Sequence, residues 1–187
     1  MALLLGEDFN QLFGSFERSA RRLETRDRYD VPSERPYIER WRAGLQEDPE
    51  HLARYRAPWL DAVHANMAQG RRYQRVRIVP EPLTEYLRYA LRGTRQTVEA
   101  GEDIGYLPRP RADELDLPDH DFWLFDGTKL ALLHFTADDR PLGAALITEP
   151  SVVEQYRAWL DLAAEHAIPY AEFLAQDPSR EYPARGG

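Results

Sequence analysis

Phe9, Leu12, Phe13, Phe16 and Ala20 recur at helical spacing, which predicts a helix from about Glu7 to Ser19. Leu23, Thr25 and Tyr29 then alternate with Arg22, Glu24 and Arg26, the period of a strand over Arg22–Tyr29. Pro32 and Ser33 punctuate the chain. Ser33 is placed to cap a helix running to about Ala43, with Tyr37, Ile38, Trp41 and Leu45 as its buried stripe. A better-marked helix spans Ala57–Gln69, with Pro58 in its first turn, Gly70 as its stop, and Trp59, Leu60, Val63 and Met67 on its apolar face. Tyr73–Val79 reads as a strand closed by Pro80, with Val76 and Ile78 on one side and Arg75 and Arg77 on the other. A strand, two helices and a strand in that order predict a crossover between parallel strands.

Downstream, a helix from about Leu83 carries Tyr86, Leu87, Ala90 and Leu91, is interrupted at Gly93 and resumes to Val98. Ile104–Leu107 forms a short strand, and Pro108–Pro118 a proline-bearing loop. The clearest pattern follows. Phe122–Phe125 and Leu130–Phe135 are apolar on both faces, as in a covered sheet, and Asp126-Gly127 between them is a favoured hairpin turn. With Leu142–Ile147 they predict an antiparallel meander over residues 120–148. A long helix begins near Pro150, with Ser151 and Glu154 at capping-box spacing and Val152, Val153, Tyr156, Trp159, Leu160 and Ala163 buried. Pro169 breaks it, a short helix ends at Leu174, and the segment from Asp177 is expected to be loose. The expected fold is α/β, with an α+β-like mixed sheet of about five or six strands and helices packed on it. One domain covers 1–176, followed by a flexible tail over 177–187.

Length agrees with one domain, since 187 residues can bury a sizeable core. Cysteine is absent, which excludes disulfides, thiolate nucleophiles and thiolate metal sites and fits a reducing, cytoplasmic compartment. Ala2-Leu3-Leu4-Leu5 is too short for a signal-peptide core. A formal net charge of −8 argues against direct binding of nucleic acid or an anionic membrane surface. Lys129 is the only lysine, which GC-rich codon usage explains.

Motifs for chemistry are mostly missing. There is no glycine-rich phosphate loop, no nucleophile elbow and no histidine pair at helical metal-ligand spacing. The lone lysine stands between Thr128 and Leu130, so the His-x-Lys pair of phospholipase-D-like phosphodiesterases is absent. Three stretches hold the candidate ligand-binding residues. Asp121, Trp123 and Asp126 flank or belong to an aromatic strand, with His120 before it and His134 on the next. They read as an acid–base or metal site, or as turn and ion-pair residues around a core strand. Arg75 and Arg77 come from a run of four arginines without an acid, suited to phosphate or an acidic partner, or else paired with local acids such as Glu81, Glu85, Glu102 and Asp103. Glu81, Tyr86, Arg88 and Glu102 cluster where a strand hands over to a helix, a favoured ligand position in open α/β sheets; helix capping or a buried Arg–Glu network explains them equally.

Leu23-Glu24-Thr25-Arg26-Asp27-Arg28-Tyr29, Arg75-Val76-Arg77-Ile78-Val79 with Glu81-Pro82-Leu83, Ala100-Gly101-Glu102, and Asp121 through Asp126 together resemble an actinobacterial family described only as a domain of unknown function. The resemblance spans about residues 20–165. Members are commonly encoded beside lambda-repressor-like helix-turn-helix regulators, so the resemblance implies such a regulator as a possible partner. It implies no catalytic residues. The element order also resembles sensor domains with a phospholipase-D-like fold lacking the catalytic pair.

The expected function is therefore a non-catalytic regulatory or binding module, acting with a helix-turn-helix regulator or a small ligand. It needs no cofactor, and a homo-oligomer is compatible with the sequence. The alternative is an enzyme on a phosphorylated or nucleotide-like substrate. Convergence of Arg75, Arg77, Glu81, Glu102, Asp121 and His120 in one pocket favours this enzyme; placement of Arg77 and Glu102 on opposite faces largely removes it.

Overall fold

Strands that are apolar on both faces, as at Phe122–Phe125, set up a sheet covered on both sides. The computed structural model describes residues 3–46 and 48–182. In chain order the elements are α1 (Gly6–Ser15), β1 (Ser19–Glu24), α2 (Arg35–Arg42), α3 (Pro49–His51), α4 (Ala57–Ala68), β2 (Arg72–Val79), α5 (Glu85–Glu99), β3 (Asp103–Pro108), α6 (Arg109–Glu114), β4 (Phe122–Phe125), β5 (Lys129–Phe135), β6 (Pro141–Ile147), α7 (Pro150–His166), β7 (Ile168–Pro169) and α8 (Tyr170–Gln176). A π-helical turn, Leu52–Arg56, joins α3 to α4.

The strands form one mixed seven-stranded sheet in the order β6-β5-β4-β1-β2-β3-β7. β1, β2 and β3 run parallel, while β4, β5, β6 and β7 pair antiparallel. The expected parallel crossover and C-terminal meander are both present. The α/β class holds, but the sheet has seven strands rather than five or six. The extra one, β7, is two residues long, too short for any periodicity to mark it.

One face packs Leu23, Val76, Leu107, Phe122 and Leu124 beneath Val153, Leu160 and Ala163 of α7. The other face carries two separate clusters. Ala20, Tyr73, Trp123 and Phe125 lie under α1 and α4, whereas Val79, Ile104 and Tyr106 lie under α5 and α8. Between the two, the strand positions on this face are Arg22, Glu24, Arg75 and Arg77, with Arg22 opposite Arg75 and Glu24 opposite Arg77 in the parallel register.

Several expectations are corrected. The first helix ends at Ser15, because the Asp126 carboxylate accepts the backbone N–H groups of Glu17, Arg18 and Ser19 and starts β1 there. The strand expected at Arg22–Tyr29 is shifted to Ser19–Glu24, the span that β2 and β4 pair with. Ser33 does not cap α2, which is entered through a 3₁₀ turn at Pro32–Glu34, and Leu45 is exposed. Ser151 lies inside α7 and makes no cap, and Glu154 pairs with Arg157 instead. The Pro108–Pro118 loop contains α6.

Gly93 does not interrupt α5, which runs unbroken under a Thr84 cap. A Cβ at position 93 would lie 2.6–2.7 Å from the Arg56 guanidinium, so glycine leaves room for that side chain against the helix. Of the segment expected to be loose, Pro178–Glu181 forms a 3₁₀ turn, with the Arg180 guanidinium 4.0 Å from the Phe173 ring centroid. Residues 183–187 lie outside the described part.

Candidate functional site

Charged side chains on a covered sheet face require partners, and Glu24 supplies them. Its carboxylate receives Arg22 Nη1 at 2.9 Å and Arg75 Nη1 at 3.1 Å, and also pairs with Arg77 through Nε and Nη2. Arg75 Nε reaches on to Glu102 at 2.8 Å. Glu24 is 2% exposed and Glu102 1%. Burial alone would raise the Glu24 pKa. The guanidiniums of Arg22, Arg77 and Arg75 outweigh it and hold the carboxyl well below the ordinary carboxylate range. Arg77 is held above its ordinary value: burial works against its charge, and Glu24 overcomes that. Such a network is strongly destabilising to break, because each removal leaves an uncompensated buried charge. One Glu102 oxygen, Oε2, and Arg22 Nε are buried without a hydrogen-bond partner among the described residues.

Above this floor the helices part and leave a cavity of about 800 Å³. That volume lies in the range of small-molecule sites. Its walls are aromatic. On the α1/α4 side Phe13 packs edge-on against Trp59 at 5.6 Å and Trp123 at 4.9 Å, and Trp59 and Trp123 are 6.1 Å apart. The Trp123 ring also touches the floor, lying 5.4 Å from the Arg22 guanidinium and 5.7 Å from that of Arg75. On the α5 side stand Tyr86 and Tyr89, and Tyr29 packs against Tyr86 at 5.7 Å. The Tyr86 hydroxyl donates to Glu34 Oε2 at 3.2 Å. Burial pushes the pKa of Glu34, Tyr29 and Tyr86 up. Arg56, from the π-helical turn, donates to Gln96 Oε1 at 3.2 Å and completes the wall.

The loop from Thr25 to Glu34 roofs one side. Asp121 anchors its start by accepting Thr25 N at 2.8 Å and the Tyr29 hydroxyl at 2.5 Å. Its middle is latched to the β5–β6 turn. Arg26 and Arg28 pair with Asp139, and Asp30 receives Arg140 at 2.9 Å.

The candidates from sequence therefore divide. Arg75, Arg77, Tyr86 and Trp123 line the cavity. Glu102 and Asp121 lie behind it and hold its floor and roof. Arg77 and Glu102 converge on one face through Arg75 and Glu24. Glu81 is exposed and meets Arg180 at 3.3 Å, while Arg88 meets the Ser179 carbonyl at 3.3 Å; neither lines the cavity. Asp126 serves the turn and the start of β1. His120 hydrogen-bonds the Tyr156 hydroxyl at 2.6 Å on α7, and His134 is exposed by the cavity mouth. Among the described residues no group of three or more His, Asp or Glu side chains is placed to hold a metal ion. No helix among them is long and apolar enough to cross a membrane.

Sequence reasoning missed Glu24, Arg22, Glu34 and Trp59 as parts of one site. A signal was present. Arg22 and Glu24 on one strand and Arg75 and Arg77 on another alternate with apolar residues. In a sheet covered on both faces, two such stripes must meet and neutralise each other.

These features define a mixed α/β protein with a large aromatic-walled cavity over a buried arginine–glutamate floor. The chain belongs to the family described as Domain of unknown function (DUF6879), which matches it over residues 7–175. The match takes in both walls and the floor of the cavity. No curated protein matches the chain.

Proposed function

We propose that the protein is a non-catalytic binding module whose cavity holds a small amphipathic molecule, with its polar part on the arginine floor and its flat body against the aromatic walls. The carrying observation is the junction at Trp123, where the indole ring meets Phe13 and Trp59 on one side and the guanidiniums of Arg22 and Arg75 on the other. A binding role is favoured over catalysis by what Glu24 and the tyrosines are committed to, whereas Glu34, a cavity carboxyl whose pKa burial raises, is the acid–base group the alternative enzyme would use. Glu24 is held ionised by three guanidiniums and makes a poor base. Tyr29 and Tyr86, with pKa values pushed up by burial, make poor acids. A helix-turn-helix regulator as the protein partner belongs to this proposal on the family resemblance alone.

The test is equilibrium dialysis of the pure protein against a small-molecule extract of its own host cells, read by mass spectrometry. Ala90 lines the cavity from α5, so Ala90→Trp places a bulky ring in the space between the walls and serves as the control. The expected result is a compound retained by the wild type and not by Ala90→Trp. Equal retention by both contradicts the proposal. A compound consumed rather than retained would make the cavity an active site and favour the alternative enzyme.

A further inference from the structure

We infer that the cavity selects a monoanion carried on a planar aromatic body, in chemical class an aryl or heteroaryl carboxylate, and discriminates against nucleotide polyphosphates. The inference rests on the binding reading above and narrows it to a ligand class.

Charge comes first. Arg22, Arg75 and Arg77 face Glu24 and Glu102, and Asp121 lies 3.6 Å from Arg22. Three guanidiniums are thus matched by three carboxylates, and the floor is close to neutral as a unit. A polyphosphate settling on this floor would shed its hydration against a unit with no excess of positive charge, which is costly in a partly desolvated site. The formal net charge of −8 on the chain adds to that penalty. A single negative charge sheds far less hydration.

Donors come second. Arg75 spends Nε on Glu102 and Nη1 on Glu24. Arg77 spends Nε and Nη2 on Glu24. That leaves Arg75 Nη2 and Arg77 Nη1 without a partner among the described residues, on two side chains of one strand that both line the cavity. Charge-assisted donors of this kind suit a carboxylate. Glu24 fixes both guanidiniums in place before any ligand arrives, so little side-chain freedom is lost on binding.

The third observation is the aromatic surface beside those donors. The Trp123 ring lies 5.7 Å from the Arg75 guanidinium and 6.1 Å from Trp59, and Phe9 and Phe13 extend the wall, their rings 5.5 Å apart. A planar ring with its acid on a short arm spans the two.

Isothermal titration of the wild-type protein tests this with benzoate, 4-hydroxyphenylacetate and indole-3-acetate, each beside its neutral amide, and with AMP and ATP. The expected result is saturable binding of at least one carboxylate, with its amide weaker by about tenfold or more and ATP weaker than the acid. Arg75→Met should abolish the acid-over-amide preference. The comparison on the wild type stands even where that variant fails to fold. The inference is overturned when amides bind as tightly as their acids, when AMP or ATP binds tighter than every carboxylate, or when no carboxylate saturates. Amide or nucleotide binding that is lost in Ala90→Trp would leave the binding-module reading standing while this inference falls. Absence of binding by every probe, together with equal retention in the dialysis, would remove both.

Discussion

Glu24 is the side chain on which the cavity floor depends, because three guanidiniums meet on its two oxygens. Replacing it with Gln leaves those charges facing one another. Glu24→Gln should lose about 3–5 kcal/mol of stability at neutral pH, measured by urea denaturation. The folded-state pKa is depressed below the ordinary 4.5, so the stabilisation is present above that pH and is lost as pH falls below it. The gap between wild type and variant should therefore narrow progressively below about pH 4.5. A gap that stays constant down to acid unfolding would remove the ionised-carboxylate account. Asp126 is the counter-case: its carboxylate receives three backbone N–H groups at 2.7–3.0 Å and lies outside the cavity. Asp126→Ala should cost about 1–2 kcal/mol in the same denaturation and leave ligand retention unchanged.

At the next level up, α5 shows why a sequence rule misled. A glycine inside a helix is unfavourable by about 1 kcal/mol relative to alanine, so Gly93 reads as an interruption. In the fold it seats the Arg56 guanidinium against an unbroken helix. Gly93→Ala should leave thermal stability within about 1 kcal/mol of wild type, since the gain in helix propensity offsets the displaced side chain. Ligand retention should fall, because Arg56 loses its seat in the wall. A variant with normal retention would take Arg56 out of the site. The meander β4–β6 was legible because apolar runs and an Asp-Gly turn speak locally. β1 was misplaced because its ends are set by distant contacts: Asp126 at one end, and the Thr25–Asp121 link at the other. Glu24 escaped notice for the same reason. Its partners Arg75 and Arg77 lie on another strand, and only the parallel register sets Arg77 opposite it and Arg75 opposite the neighbouring Arg22.

Taken as one body, the protein is acidic, and three of its arginines, Arg22, Arg75 and Arg77, turn inward to Glu24 and the cavity and so lie outside any extended nucleic-acid surface. The isolated chain should therefore fail to retard duplex DNA at physiological salt in an electrophoretic assay, and salt-dependent retardation would contradict this charge reading. The roofing loop and its Asp139 and Arg140 latch complete the enclosure. The most direct measurement is a crystal structure of the wild-type protein grown in the presence of the host small-molecule extract. The account predicts density for a compact molecule bounded by Trp59, Trp123 and the free guanidinium nitrogens of Arg75 and Arg77. A cavity holding only water, with a compound bound elsewhere on the surface, would contradict it.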